Sequence, residues 1–203
     1  GLGDVYKRQG YKISGSDILD SVDLKKLRKD GAKVFIGHSK KNIKGTNLVV
    51  ISSAIDKKNP ELIQAKNDSI TIIPRAEMLG SIMIGYESIA VAGSHGKTST
   101  TSMIAKIISM ANLSPTYVVG GKVLSSDKNS HLGDGKYIVV EADESDGTFT
   151  HLQPDVAVLT NINDDHLVHY DNSFEKLLDS FVMFAENVPF FTVIWLLMAM
   201  IKT

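Results

Sequence analysis

The residues best suited to do chemistry lie in one stretch, Gly-Ser-His-Gly-Lys-Thr-Ser at positions 93–99. Its two glycines let the backbone turn so that N–H groups point inward, where they can bind phosphate oxygens. Lys97 can reach the outer phosphates of a nucleotide, and the hydroxyl of Thr98 is placed to bind Mg²⁺. The usual pattern is G-x-x-x-x-G-K-[ST], whereas this chain has the tighter G-x-x-G-K-T, with Val91 where the first glycine is expected. An ordinary tight turn would not need glycine, lysine and hydroxyl at these three positions, so we predict a phosphate-binding loop.

A second chemical feature is an acidic run that follows a predicted strand at 137–140. It places four carboxylates within six residues: Glu141, Asp143, Glu144 and Asp146. So much negative charge is costly unless a cation lies among it, and beside a phosphate loop the expected cation is Mg²⁺. A solvated acidic turn is the alternative, and the nearby glycine loop favours the metal.

A third polar segment follows an apolar strand predicted at 156–159 and ends in Asp165 and His166. Parallel strands bring their carboxyl ends to one edge of a sheet, so we expect His166 near Lys97 and Glu141. An isolated histidine is usually structural or exposed. Beside Asp165 and on this edge, His166 is a candidate metal ligand or phosphate contact.

Apolar patterning predicts the elements that position these residues. A run at 89–92 predicts a buried strand, and apolar residues at 103, 104, 107 and 108 have the spacing of a helix. Before the loop, alternation predicts strands at 11–14, 33–36, 47–51 and 70–73 and helices at 24–29, 60–67 and 75–84. This order is typical of a parallel, doubly wound sheet.

Ligands of such sheets bind outside the carboxyl ends of the strands, which makes several residues of the first part of the chain candidates. They are Asp17, His38, Ser52 and Ser53. An acidic residue at a strand end often binds a ribose hydroxyl, but Ser16 or Asp17 could equally cap a helix.

Composition narrows the class of protein. The 203 residues are 43% hydrophobic and 22% charged with a net charge of −1, which is typical of a soluble globular protein and gives no basic excess for nucleic acid. The absence of cysteine excludes disulfides and thiolate metal sites and fits a reducing cytosol. No secretory signal pattern is present, and the apolar run at 188–201 is too short and interrupted to predict a membrane span.

Together these motifs resemble the Mur ligases, ATP-dependent enzymes that join an amino acid to a carboxylate of a peptidoglycan precursor. The glycine loop and the Asp165-His166 pair are shared by all Mur ligases and their folate relatives. The run Glu-Ala-Asp-Glu-Ser-Asp-Gly at 141–147 is more specific to the member that adds L-alanine. The resemblance covers residues 10–190, with further matching segments at 15–17, 52–55, 75–79, 152–154 and 160–162.

The resemblance implies an α/β fold with a Rossmann-like N-terminal domain followed by a partial P-loop ATPase central domain of the Mur ligase type. The first, at 10–86, would bind the UDP-sugar, and the second, at 87–189, would bind ATP. Residues 1–9 and 190–203 depart from the family pattern, so we interpret them as a non-family start and an aberrant tail. Without the family's first glycine loop and third domain, the chain as written is expected to be inactive as a ligase.

Carried over residue by residue, the resemblance also implies functional roles. Thr98 and Glu141 would hold one Mg²⁺, Glu141 and His166 would hold a second, and Lys97, Glu141 and His166 would be catalytic. The residues along UDP-N-acetylmuramate would be Asp17, His38, Ser52 and Ser53. The residues around the ATP phosphates would be Gly93, Ser94, His95, Gly96, Lys97, Thr98 and Ser99.

The implied reaction is attack of the muramate carboxylate on the γ-phosphate of ATP, after which the amine of L-alanine displaces phosphate from the acyl phosphate. The implied partners are these small molecules in the cytoplasm, without nucleic acid or membrane. Alternatives are a sister ligase that attaches a recycled tripeptide and a P-loop nucleotide binder without turnover. A kinase or GTPase is disfavoured because no guanine-specific motif is present. Release of phosphate that depends on L-alanine separates the first hypothesis from the others.

Overall fold

The chain was analysed as a computed structural model that describes residues 5–6, 10–120, 130–165 and 167–189. It divides into two compact units, residues 3–78 and residues 79–203 together with the first two residues. The division falls at Met78, whereas the sequence predicts a domain boundary after Tyr86. The predictions for 190–203 and for most of 1–9 lie outside the described residues.

The first unit contains short parallel strands with helices between them. The parallel pairing is as predicted, but the strands form two separate two-stranded sheets, β1–β2 and β3–β4, rather than one. In a doubly wound sheet the two halves lie side by side in one continuous sheet. Here no strand of the described residues pairs with both β1–β2 and β3–β4. The strands are β1 (Ser14–Asp17), β2 (Lys33–Ile36), β3 (Leu48–Ile51) and β4 (Thr71–Pro74), and the helices are α1 (Val22–Lys29), a 3₁₀ turn (Lys40–Ile43) and α2 (Pro60–Asn67).

The helix caps of this unit differ from one sequence expectation. Ser21 caps α1 by accepting a hydrogen bond from the N–H of Leu24. Ser16 and Asp17 lie in β1, so the alternative that one of them caps a helix is wrong; Asp17 instead accepts from the N–H of Leu19 in the turn that follows. Asn59 caps α2.

The second unit is built on a five-stranded sheet in the order β7-β6-β8-β5-β9. All its pairs are parallel except β6–β7, and β5 lies between β8 and β9. Its strands are β5 (Glu87–Ala92), β6 (Thr116–Val118), β7 (Ser130–His131), β8 (Tyr137–Glu141) and β9 (Val156–Leu159). Its helices are α3 (Arg75–Met83, which begins in the first unit), α4 (Lys97–Met110) and α5 (Phe174–Glu186), with 3₁₀ turns at Thr148–His151 and Leu167–Tyr170.

The core of this unit explains why β5 and β8 are almost continuously apolar. Both strands have neighbours on each side, and their central residues, 90–92 and 138–140, are fully buried. Phe149 packs against Phe181 and Phe184 of α5 with ring centroids 5.1 and 5.2 Å apart. Three adjacent parallel strands therefore end side by side on one edge of a rigid sheet. No helix of the described residues is long and apolar enough to span a membrane.

Candidate functional site

The glycine loop connects β5 to α4 and exposes the start of a 14-residue helix. Gly93 has φ +132°, and a Cβ there would lie 2.2 Å from Oγ1 of Thr160, so only glycine fits. Gly96 precedes the helix with φ +82°, and no side chain caps the first turn. The uncapped N–H groups and the helix dipole make this end of α4 suited to an anion. Val91, where the longer pattern would have glycine, is a fully buried residue of β5.

The segment after β9 holds this loop in place. The side chain of Asn161 accepts from the N–H of His95 and donates to its carbonyl oxygen, both at 2.9 Å. Thr160 Oγ1 donates to the same carbonyl at 2.6 Å. Ser94 Oγ accepts from the N–H of Asn163 at 2.8 Å. The N–H of His95, predicted to bind ATP phosphate, is thus already bonded within the protein.

Lys97 is paired with a buried carboxylate. Its Nζ donates to the carbonyl oxygen of Gly93 at 2.6 Å and to Oε1 of Glu144 at 3.0 Å, and Oε2 of Glu144 lies 2.8 Å away. The side chain of Glu144 is only 2% exposed. The hydroxyl of Tyr170 donates to the backbone carbonyl of Glu144, and burial, followed by the nearby charge of Glu144, raises the pKa of Tyr170 to about 12.

Thr98 meets Glu141, as the sequence predicts. Thr98 Oγ1 lies 3.0 Å from Oε2 of Glu141, which also accepts from the N–H of Gly120 at 2.7 Å. A hydroxyl and a carboxylate are the hard oxygen donors that Mg²⁺ prefers. A Cβ on Gly120 would lie 3.2 Å from Oε1 of Glu141, so a glycine keeps the space beside this carboxylate open. The described residues contain no cluster of three metal-ligating acids, histidines or cysteines, but Mg²⁺ commonly takes one or two protein ligands with phosphate and water.

Two further predicted residues border the loop. His95 Nε2 lies 2.8 Å from Oδ2 of Asp165, which brings the end of the third polar segment to the glycine loop. Ser99 is exposed in the first turn of α4. His166 lies outside the described residues, so its role as a metal ligand and catalytic residue stays a prediction.

The first unit has a separate polar cluster around His38. Ser16 Oγ donates to Oε2 of Glu61 at 2.5 Å and lies 2.9 Å from Nδ1 of His38, so the single hydroxyl hydrogen assigns the ring proton to Nδ1. Asn42 donates to Oε1 of Glu61 at 2.6 Å. Burial raises the pKa of Glu61, but hydrogen bonds from Ser16, Asn42 and the N–H of Ser39, together with His38, outweigh it and lower the pKa from 4.5.

This cluster is not a hydrolytic triad. Ser16 and Glu61 both approach the same ring nitrogen of His38, whereas a triad needs them on opposite nitrogens. The remaining candidates of this unit, Asp17, Ser52 and Ser53, have no side-chain hydrogen bond to the cluster within the described residues. The structure therefore brings together His38 and a residue that the sequence missed, Glu61.

Comparison with protein families assigns both halves of the chain. Residues 1–87 match the "Mur ligase family, catalytic domain", and residues 91–202 match the "Mur ligase middle domain". The second match alone covers more than half of the chain. The chain belongs to the Mur ligase family.

Individual relatives agree with this assignment. This Mur ligase chain is 48% identical over 191 residues to the UDP-N-acetylmuramate–L-alanine ligase of Psychrobacter sp. (strain PRwf-1), which covers 94% of the chain and 40% of the relative. The chain thus spans about two fifths of the length of that curated relative. The crystal structure of UDP-N-acetylmuramate–alanine ligase from Thermotoga maritima matches 93% of the chain and 45% of its own, with TM-score 0.85 and 31% identity.

A tripeptide ligase has nearly the same fold. The crystal structure of the UDP-N-acetylmuramate:L-alanyl-γ-D-glutamyl-meso-diaminopimelate ligase from Neisseria meningitides matches with TM-score 0.84 over 93% of the chain and 64% of its own. Its identity is 24%, so this likeness concerns the fold alone. The predicted α/β fold, with its parallel strands, is confirmed by these matches.

Two residues of this Mur ligase site were not singled out by the sequence as functional, Thr160 and Asn161, and Glu144 was predicted only as one of four acids around Mg²⁺. Each follows a predicted buried strand, which is the available signal, since strand ends meet at the site edge. The signal does not say which polar residue turns inward. Mg²⁺ was expected among the four acids, but the structure places Lys97 beside Glu144.

Proposed function

We propose that this chain is the nucleotide-binding part of an ATP-dependent ligase that adds L-alanine to UDP-N-acetylmuramate in peptidoglycan precursor synthesis. The observation that carries the ATP chemistry is the contact of Thr98 with Glu141 at the carboxyl end of β8, next to Lys97 at the start of α4. Support for the particular substrates comes from the 48% identity to the Psychrobacter enzyme.

In this proposal the residues around the glycine loop bind and polarise ATP. The free N–H groups at the start of α4 and the amine of Lys97 contact the phosphates, which lowers the cost of bringing a carboxylate to the γ-phosphate. Thr98 and Glu141 would hold Mg²⁺, which would neutralise charge on the phosphates. The muramate carboxylate attacks the γ-phosphorus, ADP leaves, and the amine of L-alanine then displaces phosphate to form the amide.

The remaining predicted residues have proposed roles around this reaction. His166 with Glu141 would hold a second Mg²⁺ and act in catalysis. In the first unit, His38 would contact UDP-N-acetylmuramate together with Asp17, Ser52 and Ser53. ATP and sugar nucleotides are cytoplasmic metabolites, so we place the reaction there.

The test is release of phosphate from ATP by a chimera that joins residues 1–189 to the part of the Psychrobacter ligase that this chain does not span. We expect release to require both UDP-N-acetylmuramate and L-alanine, and to fall by at least about a hundredfold in the matched Lys97→Ala chimera. Release that depends instead on the tripeptide L-alanyl-γ-D-glutamyl-meso-diaminopimelate would favour the recycling ligase. Binding of ATP without release that depends on any amine would favour a nucleotide binder without turnover.

A further inference from the structure

The pair formed by Lys97 and Glu144 has a consequence for nucleotide binding. We propose that Glu144 makes binding at the glycine loop dependent on Mg²⁺, because it cancels the charge of the lysine that faces the phosphates. The inference rests on the proposed binding of ATP at this loop. Glu144 thereby determines which form of the nucleotide, with or without its metal, the site accepts.

Separating Lys97 from Glu144 when a nucleotide binds would have a high free-energy cost. The carboxylate is almost fully buried, and its Oε2 has no hydrogen-bond donor among the described residues, since Nζ of Lys97 lies close to it but out of line. Without the ammonium group, this carboxylate would be a buried, unpaired charge, which costs several kcal/mol. The phosphates must therefore approach Lys97 while it remains paired.

The paired lysine still has a hydrogen to offer. An ammonium group has three donors. Two of them donate to the carbonyl oxygen of Gly93 and to Oε1 of Glu144, and the third makes a long contact, 3.5 Å, with the carbonyl oxygen of Ser94. The Lys97 side chain is 13% exposed, and a phosphate oxygen that reaches Nζ can replace the long contact with Ser94. Lys97 then contributes a hydrogen bond and a fixed position, but its charge is already balanced.

The net charge beside the glycine loop follows from these contacts. The two carboxylates Glu141 and Glu144 and the single cation Lys97 leave a net charge of −1 on these three groups. The other pair at the loop, His95 with Asp165, adds no net positive charge when the histidine is neutral. A polyphosphate without a metal therefore meets a site that repels it, whereas a divalent cation between Thr98 and Glu141 reverses the sign.

A purely structural role for Glu144 makes a different prediction. The hydrogen bond from Tyr170 reaches the backbone carbonyl of Glu144 and does not need the carboxylate. If the side chain only stabilised the fold, its neutral amide would weaken the binding of ADP with and without Mg²⁺ to the same extent. If it sets the metal requirement, the two affinities change in different proportions.

The experiment is calorimetric titration of the full chain with ADP, once with saturating Mg²⁺ and once with EDTA. We compare the wild type with Glu144→Gln and with Glu186→Gln, which makes the same change at an exposed residue at the end of α5. In Glu144→Gln we expect the ratio of the two affinities to fall by about tenfold or more, chiefly because metal-free ADP binds better. In Glu186→Gln the expected change in the ratio is less than about threefold.

Each other outcome has a defined meaning. An unchanged ratio in Glu144→Gln overturns the inference and leaves the proposed function intact. No binding of Mg²⁺–ADP by the wild type overturns the proposed function and this inference with it. If circular dichroism shows that Glu144→Gln does not fold, Glu144→Ser, which leaves room for water beside Lys97, is measured with the same expectation and the same contradicting result.

Discussion

The two units of the chain use the same parallel βα elements but bury them very differently. In the second unit, β5 and β8 have strands on both sides, and residues 90–92 and 138–140 are fully inaccessible to solvent. In the first unit, no residue of β1 to β4 is buried, and each of these strands has one partner among the described residues. A single partner does not by itself leave a strand unburied, since β9 also has one partner among the described strands and still buries Ala157 and Leu159.

This difference sets how each unit positions its polar residues. Glu141 is the last residue of the buried strand β8, and Lys97 and Thr98 are the first residues of α4, which follows the buried strand β5. His38 is fixed by a network of hydrogen bonds through Ser16 and Glu61. We therefore expect the glycine-loop site to respond mainly to changes in the core and in backbone geometry. The His38 cluster should respond mainly to pH and to loss of single polar groups.

The largest expected effect is on the core. Ile138→Ala removes a fully buried side chain from the centre of β8 and should lower the free energy of unfolding by about 2–5 kcal/mol. The matched change Ile36→Ala, in a half-exposed residue of β2, should cost about 1 kcal/mol or less. Urea titration with hydrogen exchange read separately for each unit measures both. Equal losses would contradict the difference in burial.

The next effect concerns the loop backbone. Gly93→Ala adds a Cβ that would clash with Thr160 and strains a backbone at φ +132°, so it should cost about 2–3 kcal/mol and weaken Mg²⁺–ADP binding at least tenfold. Gly96→Ala has open space at its Cβ and should cost only about 1 kcal/mol, for its left-handed conformation. Thermal melts and calorimetry compare the pair. A loss in Gly96→Ala as large as in Gly93→Ala would argue against the close contact with Thr160.

A smaller effect should appear in the first unit as a dependence on pH. The folded pKa of Glu61 is lowered, so its ionised form stabilises the unit fully above the unfolded pKa, and this contribution is lost as the pH falls through the lower folded value. Glu61→Gln should cost about 1–2 kcal/mol at neutral pH and should flatten this dependence in the acid range. The free energy of unfolding of the wild type and the variant, measured from pH 7 downward, tests this prediction. A wild type and variant with parallel pH curves would contradict the assignment.

The smallest effect is expected at a surface ion pair of the same unit. Arg28 and Asp20 lie 2.8 Å apart, but both side chains are more than a third exposed. Asp20→Asn should change stability by no more than about 0.5–1 kcal/mol, and less at high salt. This variant is also a control for Glu61→Gln, since both remove one carboxylate from the same unit. A cost above that of Glu61→Gln would be inconsistent with the buried network.

Local patterns predicted much of this structure. The helix at 60–67 and the strand at 33–36 were predicted with the bounds observed, because apolar spacing and flanking turns are local signals. The meeting of Thr98 with Glu141 also followed, since parallel strands end at one edge. Two features could not be predicted from local pattern. The separation of the first sheet into two depends on which strands are neighbours in space. The pairing of His38 with Glu61 joins residues that are 23 positions apart in the chain.

Local sequence pattern also did not predict which of several similar residues would lie at the site. The four acids at 141–146 have the same chemistry, and the turn after β8 decides that Glu144 is buried against Lys97. Likewise, Asn161 became a support of the loop because β9 lies beside β5, a pairing set by the whole sheet.

The central claim is that the buried sheet of the second unit, and not the first unit, presents the nucleotide site. The most direct measurement is a titration of the isotope-labelled chain with Mg²⁺–ADP, followed by the backbone amide signals in two-dimensional NMR. The account predicts that the changes concentrate at residues 93–99 and near Glu141, while the amides of Ser16, His38 and Glu61 stay in place. Changes confined to residues 10–78, or none at saturating nucleotide, would contradict it.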